Sequence, residues 1–132
     1  MRRLAALYVT TLLVIVMLAD LGVLGGLVRW IHEIPYADKV AHFGFAVGLG
    51  AVLEAALGRG GRALLVAAPL VLLEELSQLV VPGRTFDLGD LAADFVGLAI
   101  GTWAVLAHTR HACAREESRC SEREPCGTSL SP

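Results

Sequence analysis

Apolar residues along this chain fall into long, nearly unbroken runs rather than into alternating or one-sided patterns. Four runs stand out: Leu4 to Val28, Val40 to Leu57, Ala63 to Val81 and Leu91 to His108. A helix rises about 1.5 Å per residue, so about 20 residues cross a hydrocarbon core about 30 Å thick. All four runs are near that length. Helices of a soluble core would need polar faces toward water, and four such runs in 132 residues leave almost none. The pattern therefore predicts an all-α membrane protein, a four-transmembrane-helix bundle over residues 1–110. The polar segment 111–132 reads as a disordered tail.

Composition agrees with lipid as the solvent: 55% of residues are hydrophobic and 18% charged, with a mean hydropathy of +0.64. The net charge of -2 and the lack of a basic patch interleaved with aromatics argue against a nucleic-acid partner. Arg2 and Arg3 precede the first run as they would in a signal peptide, but the run is long for that role and no small-residue cleavage site follows it. An uncleaved helix is expected.

The lysines and arginines divide unevenly. Eight of the eleven fall at the N-terminus, in the Arg59–Arg62 loop and in the tail, and three (Arg29, Lys39 and Arg84) fall in the other two loops. The positive-inside rule then places both termini in the cytoplasm, in a multi-pass protein of the cell (plasma or inner) membrane. Gly60-Gly61 and Pro82-Gly83 predict tight connections between antiparallel neighbours. Trp30 and Tyr36 suit an aromatic belt at headgroup level. The tail cysteines, Cys113, Cys120 and Cys126, lack the paired spacing of a zinc site and read as reduced thiols. Small residues four apart, Gly22/Gly26, Gly44/Gly48 and Gly97/Gly101, predict close helix packing, more readily within the chain than in a dimer. Pro69 predicts a bend in the third helix.

Ionisable groups inside a span are costly, about 2.5 to 3.5 kcal/mol at the helix centre, so their placement is informative. The second helix opens with Asp38, Lys39 and His42. The third carries Glu74, Glu75 and Gln78 in its second half. Arg84 follows in the loop, and the fourth helix opens with Asp87, Asp90 and Asp94. With cytoplasmic termini, all of these lie toward the outer leaflet, and Asp20 of the first helix could join them. Simpler roles are available for several. Asp38 and Asp87 can be N-caps, and Asp90 can complete a capping-box-like arrangement with Asp87. Glu54 is expected to meet Arg59 or Arg62 at the inner end, and Glu74 to face the headgroups.

These residues carry a resemblance. Asp38-Lys39-Val40-Ala41-His42-Phe43 resembles the Asp-Lys-x-x-His opening of the VanZ-like family. Glu75-Leu76-Ser77-Gln78 and the run Pro82-Gly83-Arg84-Thr85-Phe86-Asp87-Leu88-Gly89-Asp90 resemble that family's Glu-x-x-Gln, Pro-x-Arg and Asp-x-x-Asp elements, and Gly97 and Gly101 fit its last helix. The family pattern usually has Asn where this chain has Asp94, which adds a potential charge. The resemblance implies a small four-helix integral membrane protein, in a family named for a member linked to teicoplanin resistance.

Three function classes follow. In the first, Asp38, Lys39, His42, Glu75, Gln78, Arg84, Asp87, Asp90 and Asp94 bind a lipid headgroup, a cell-wall precursor or a glycopeptide at the outer face. Arg84 is then the natural anion ligand and Lys39 a second positive charge. In the second, an enzyme uses His42, Glu75 and Asp90 as catalytic groups, with His42 oriented by Asp38 or Glu75. His42, Glu75, Asp90 and Asp94 could instead hold a divalent metal. Neither a metal nor a cofactor is assigned on motif grounds, and no familiar lipid-phosphatase or phosphotransferase signature is present. In the third, the chain is a structural or transport subunit, which would require an oligomer. The lipid bilayer is the partner common to all three.

Overall fold

The computed structural model describes residues 1–58, 60–81 and 86–123. Those residues are all-helical, with no strand among them. The helices are α1 (Arg2–Asp20), α2 (Gly25–Glu33), α3 (Ala37–Leu57), α4 (Arg62–Ser77) and α5 (Leu88–Arg123). Three of them, α1, α3 and the part of α5 up to Arg119, are long and apolar enough to cross a membrane.

The first apolar run is not one helix. Gly22 adopts φ +75, which glycine reaches without a steric penalty, and the chain turns there before restarting as the short α2. The earlier stop still leaves α1 with 19 residues. On α2 and just after it, Leu27, Trp30 and Ile34 are exposed and lie among Arg29 and Glu33. Pro35 then disfavours helix at Ile34, which is extended. Asp38 does not cap α3. Tyr36 occupies the N-cap in a left-handed conformation, and Asp38 sits in the first turn, where the helix dipole favours a carboxylate.

The principal packing is between α3 and α5, and glycine makes it close. A Cβ on Gly97 would meet the Phe43 carbonyl oxygen and the Ala46 methyl group. One on Gly101 would collide with the Val47 carbonyl, and one on Gly50 with the Leu98 carbonyl. The contacts advance together along both helices, so α3 and α5 run parallel. The expected intramolecular role therefore holds at Gly97/Gly101. Nothing lies within 4 Å of a Cβ at Gly22, Gly26 or Gly44. On the other side of α3, the Tyr8 ring of α1 lies over Gly48 and its hydroxyl donates to the Phe45 carbonyl at 3.0 Å.

Between α3 and α4, Gly61 has φ +91. Its amide donates to both oxygens of Glu54, each at 3.1 Å, and Glu54 is fully enclosed. This replaces the expected ion pair with Arg62; Arg59 lies outside the described residues. The carboxylate thus satisfies an amide at the start of α4 that has no partner within the helix. Pro69 does lie inside α4. At 16 residues, α4 is shorter than the apolar run that predicted it, because the chain leaves helical geometry after Ser77.

The last helix departs from expectation in the opposite direction. α5 continues through the segment anticipated as disordered, as far as Arg123, with residues 111–119 exposed. Alanine, arginine and glutamate are good helix formers, and they extend a helix already nucleated by the packed part of α5.

The buried apolar core is small and made mainly of small or branched residues, among them Ala46, Leu49, Ala67, Val71 and Leu98. Large apolar side chains such as Leu13, Leu65, Ile100 and Trp103 point outward, while Glu54, Glu75, Gln78, Asp90, Asp94 and Thr102 are buried. This inverted distribution is what a lipid solvent permits.

The α3–α5 contact makes a direct prediction. Gly101→Leu should cost about 1–3 kcal/mol by overpacking, whereas Gly44→Leu should be nearly neutral. Thermal unfolding of the purified protein in detergent, followed by circular dichroism, measures both.

Candidate functional site

Because α3 and α5 run parallel in close contact, their first turns lie side by side, and α4 delivers its last turn to the same place. Two groups of side chains meet there.

The first is centred on Lys39. Its ammonium donates to Asp87 at 2.6 Å and to Asp90 at 3.1 Å, with Asp38 at 3.5 Å. The sequence offered Lys39 as a charge for an incoming anion, but here three carboxylates engage it. Asp87 is an N-cap, as anticipated: its Oδ1 accepts the Gly89 amide at 2.7 Å while Oδ2 takes Lys39. The capping-box partner is not Asp90, which turns to Lys39. Instead Glu75, from α4, accepts the Asp87 amide at 2.8 Å. A residue of another helix thus fills the position that the third residue of a capping box would fill.

The second group is centred on His42. Its Nδ1 lies 3.0 Å from Asp94 Oδ2. The partner that orients His42 is therefore Asp94 rather than Asp38 or Glu75. An ionised Asp94 can only accept, so Nδ1 is the donor in this pair. Gln78 bridges the two glutamates of α4, its amide donating to Glu74 at 3.0 Å and to Glu75 at 3.3 Å. Glu74 was expected to face headgroups. It belongs to this group, because one ligand-type atom from each of His42, Glu74, Glu75 and Asp94 lies within 4.8 Å of the others. The spacing did contain the signal: Gln78 is four residues from Glu74 and three from Glu75, and either spacing allows contact on a helix. Asp38, Asp87 and Asp90 form a similar triplet, with Lys39 bonded to all three.

A cavity of about 640 Å³ opens onto both groups. Asp38, His42, Glu74, Gln78, Asp87, Asp90 and Asp94 line its polar end. Val9, Leu12 and Val16 of α1, Leu49 of α3, and Leu70 and Val71 of α4 line its apolar length. Asp20 ends α1, one residue after the cavity-lining Ala19. Arg84 lies outside the described residues.

The chain matches the family model described as VanZ/LLP1 over residues 5–109. It belongs to that family. No curated protein and no solved structure matches it. The VanZ/LLP1 match begins within α1 and ends before the exposed extension of α5, so it contains every side chain of the two groups.

The Lys39 ammonium, and then the Gly89 amide, hold the Asp87 carboxyl below the usual carboxylate range. A carboxyl held below its unfolded-chain value, about 3.9, adds stability that is fully present above that value and is lost as pH falls through the lowered one. Asp87→Asn keeps an oxygen for the Gly89 amide but loses the ion pair. The difference in melting temperature between the wild type and Asp87→Asn should therefore be level from neutral pH down to about pH 4 and shrink below it. It should also fall with added salt, because Asp87 is half exposed.

Proposed function

We propose that this VanZ/LLP1 protein binds an amphiphilic component of the cell envelope, or an amphiphilic antibiotic directed at the envelope, from the outer face of the cell membrane. The cavity carries this reading. One end is lined by carboxylates, an imidazole and an amide, and the rest by aliphatic side chains of α1, α3 and α4. A polar head with an attached acyl chain complements such a shape, whereas a small soluble metabolite would leave the apolar walls uncovered. Phospholipids, lipid-linked cell-wall precursors and the lipoglycopeptide teicoplanin share that chemistry, and the family resemblance draws attention to the last.

The topology behind this reading has four spans with both termini cytoplasmic. Two observations support the fourth crossing. α3 and α5 are parallel, so the chain between them must return across the same thickness. α4 leads from the Glu54–Gly61 turn back to the level of His42 and Asp87. Its 16 residues span about 24 Å, and a turn continues it. The arginine and lysine distribution orients the bundle with the two side-chain groups outward. Reporter fusions at residue 1 and after Arg123 should both report cytoplasm, and a cysteine introduced at Tyr36 should react with an impermeant thiol reagent from outside.

A second reading, a membrane-surface enzyme, has the His42–Asp94 pair in its favour, since a carboxylate-oriented imidazole is a common general base. No serine or cysteine nucleophile among the described residues is bonded to His42, so the binding reading fits the geometry better.

The test combines retention and phenotype. Purified wild type should carry one co-purified amphiphile per chain in native mass spectrometry. Val16→Trp, which fills the apolar part of the cavity, should lose it. In a glycopeptide-sensitive host at matched expression, wild type should raise teicoplanin tolerance, and Val16→Trp and Arg84→Ala should not. Equal retention and equal tolerance across the three proteins would discard the cavity reading.

A further inference from the structure

The two side-chain groups differ in the basic side chain at their centre. Three carboxylates surround Lys39, so that group contains its own cation. The other holds three carboxylates, Glu74, Glu75 and Asp94, around a single imidazole. Glu75 is fully enclosed and Asp94 is 5% exposed. Gathering carboxylates in an enclosed, low-dielectric place is expensive unless a cation joins them. The donors also come from three separate helices and include a nitrogen, which distinguishes this group from an ordinary acidic surface. His42 Nδ1 and Asp94 Oδ2 lie 3.0 Å apart, a separation that two donors to one ion can share. His42, Glu74 and Asp94 of this group line the cavity.

We infer that His42, Glu74, Glu75 and Asp94 form a site for one divalent first-row transition cation, which anchors the anionic head of the amphiphile. The ion's role rests on the amphiphile reading above, whereas its binding rests on the four side chains alone. Ligand atoms within 4.8 Å of one another need to close by about 1 Å to surround an ion at 2.0–2.2 Å. Rotation of the half-buried Glu74 side chain and imidazole provides that movement. One nitrogen and several carboxylate oxygens suit Zn²⁺ or Mn²⁺ better than Mg²⁺, which prefers oxygen and retains water. The ion also resolves a conflict in charge. Envelope amphiphiles carry phosphate or carboxylate, and a pocket of carboxylates would repel them. A cation shared between protein and head turns that repulsion into attraction.

The experiment uses the full chain in nanodiscs, stripped with a chelator, dialysed and titrated calorimetrically with ZnCl₂, MnCl₂ and MgCl₂. One Zn²⁺ or Mn²⁺ per chain is expected, with weaker uptake of Mg²⁺. Glu75→Gln and Asp94→Asn should each weaken binding at least tenfold. Both substitutions keep an oxygen for the Asp87 amide or the His42 N–H, and melting curves without metal check that they fold. Glu117→Gln, on the exposed part of α5, should bind as wild type does. Absence of uptake, or wild-type affinity in both site variants, overturns the metal site. Native mass spectra before and after chelation then test the anchor. Release of the amphiphile on chelation supports it, and retention overturns the anchoring role. A wild type that never carries an amphiphile removes the binding reading, while the titration still decides the ion.

Discussion

The direct backbone contact between α3 and α5 sets the register of the polar end. Gly97 and Gly101 bring one helix onto the carbonyls of the other, and Gly50 answers from the opposite side. At that distance, and in parallel, a residue near the start of one helix can reach only those near the start of its neighbour. Lys39 meets Asp87 and Asp90, and His42 meets Asp94. A longer side chain at any of these glycines would part the helices and separate both pairs at once.

The third contributor, α4, is held at both ends by carboxylates acting on backbone amides. Glu54 of α3 takes the Gly61 amide where α4 begins, and Glu75 of α4 takes the Asp87 amide where α5 begins. Each bond spans a connection between helices. Groups that would be costly as isolated charges in a membrane thus close the loops of the bundle, and their burial follows from that task. The His42 group differs, because it gathers three carboxylates around one imidazole. That imbalance separates a candidate site from the structural polar pairs beside it.

Much of this was legible in the chain. The long apolar runs and the resemblance around Asp38–Asp90 led to the membrane-helix character and the family, and the spacing of Gly97 and Gly101 led to close packing. Features requiring knowledge of other helices were not legible. Nothing local distinguishes Asp94 from Asp38 or Glu75 as the partner of His42, since 52 residues separate the pair. Hydropathy alone could not place the break at Gly22, because apolar residues flank the turn on both sides. The helix beyond His111 was missed for another reason. A polar composition excludes a packed core, but it does not prevent a helix already begun from continuing.

That continuation has a mechanical consequence. A helix of 36 residues is about 54 Å long, well beyond the apolar part that can lie in a bilayer. Its first turns hold Asp90 and Asp94, and its far end stands clear of the bundle. A helix is stiff along its axis, so it behaves as a lever with its short arm in the polar end. A tilt of about 10° imposed there would swing the distant tip by about 9 Å, given the length fixed by the helical rise. One continuous rod therefore joins the polar cluster to the exposed far end of the helix.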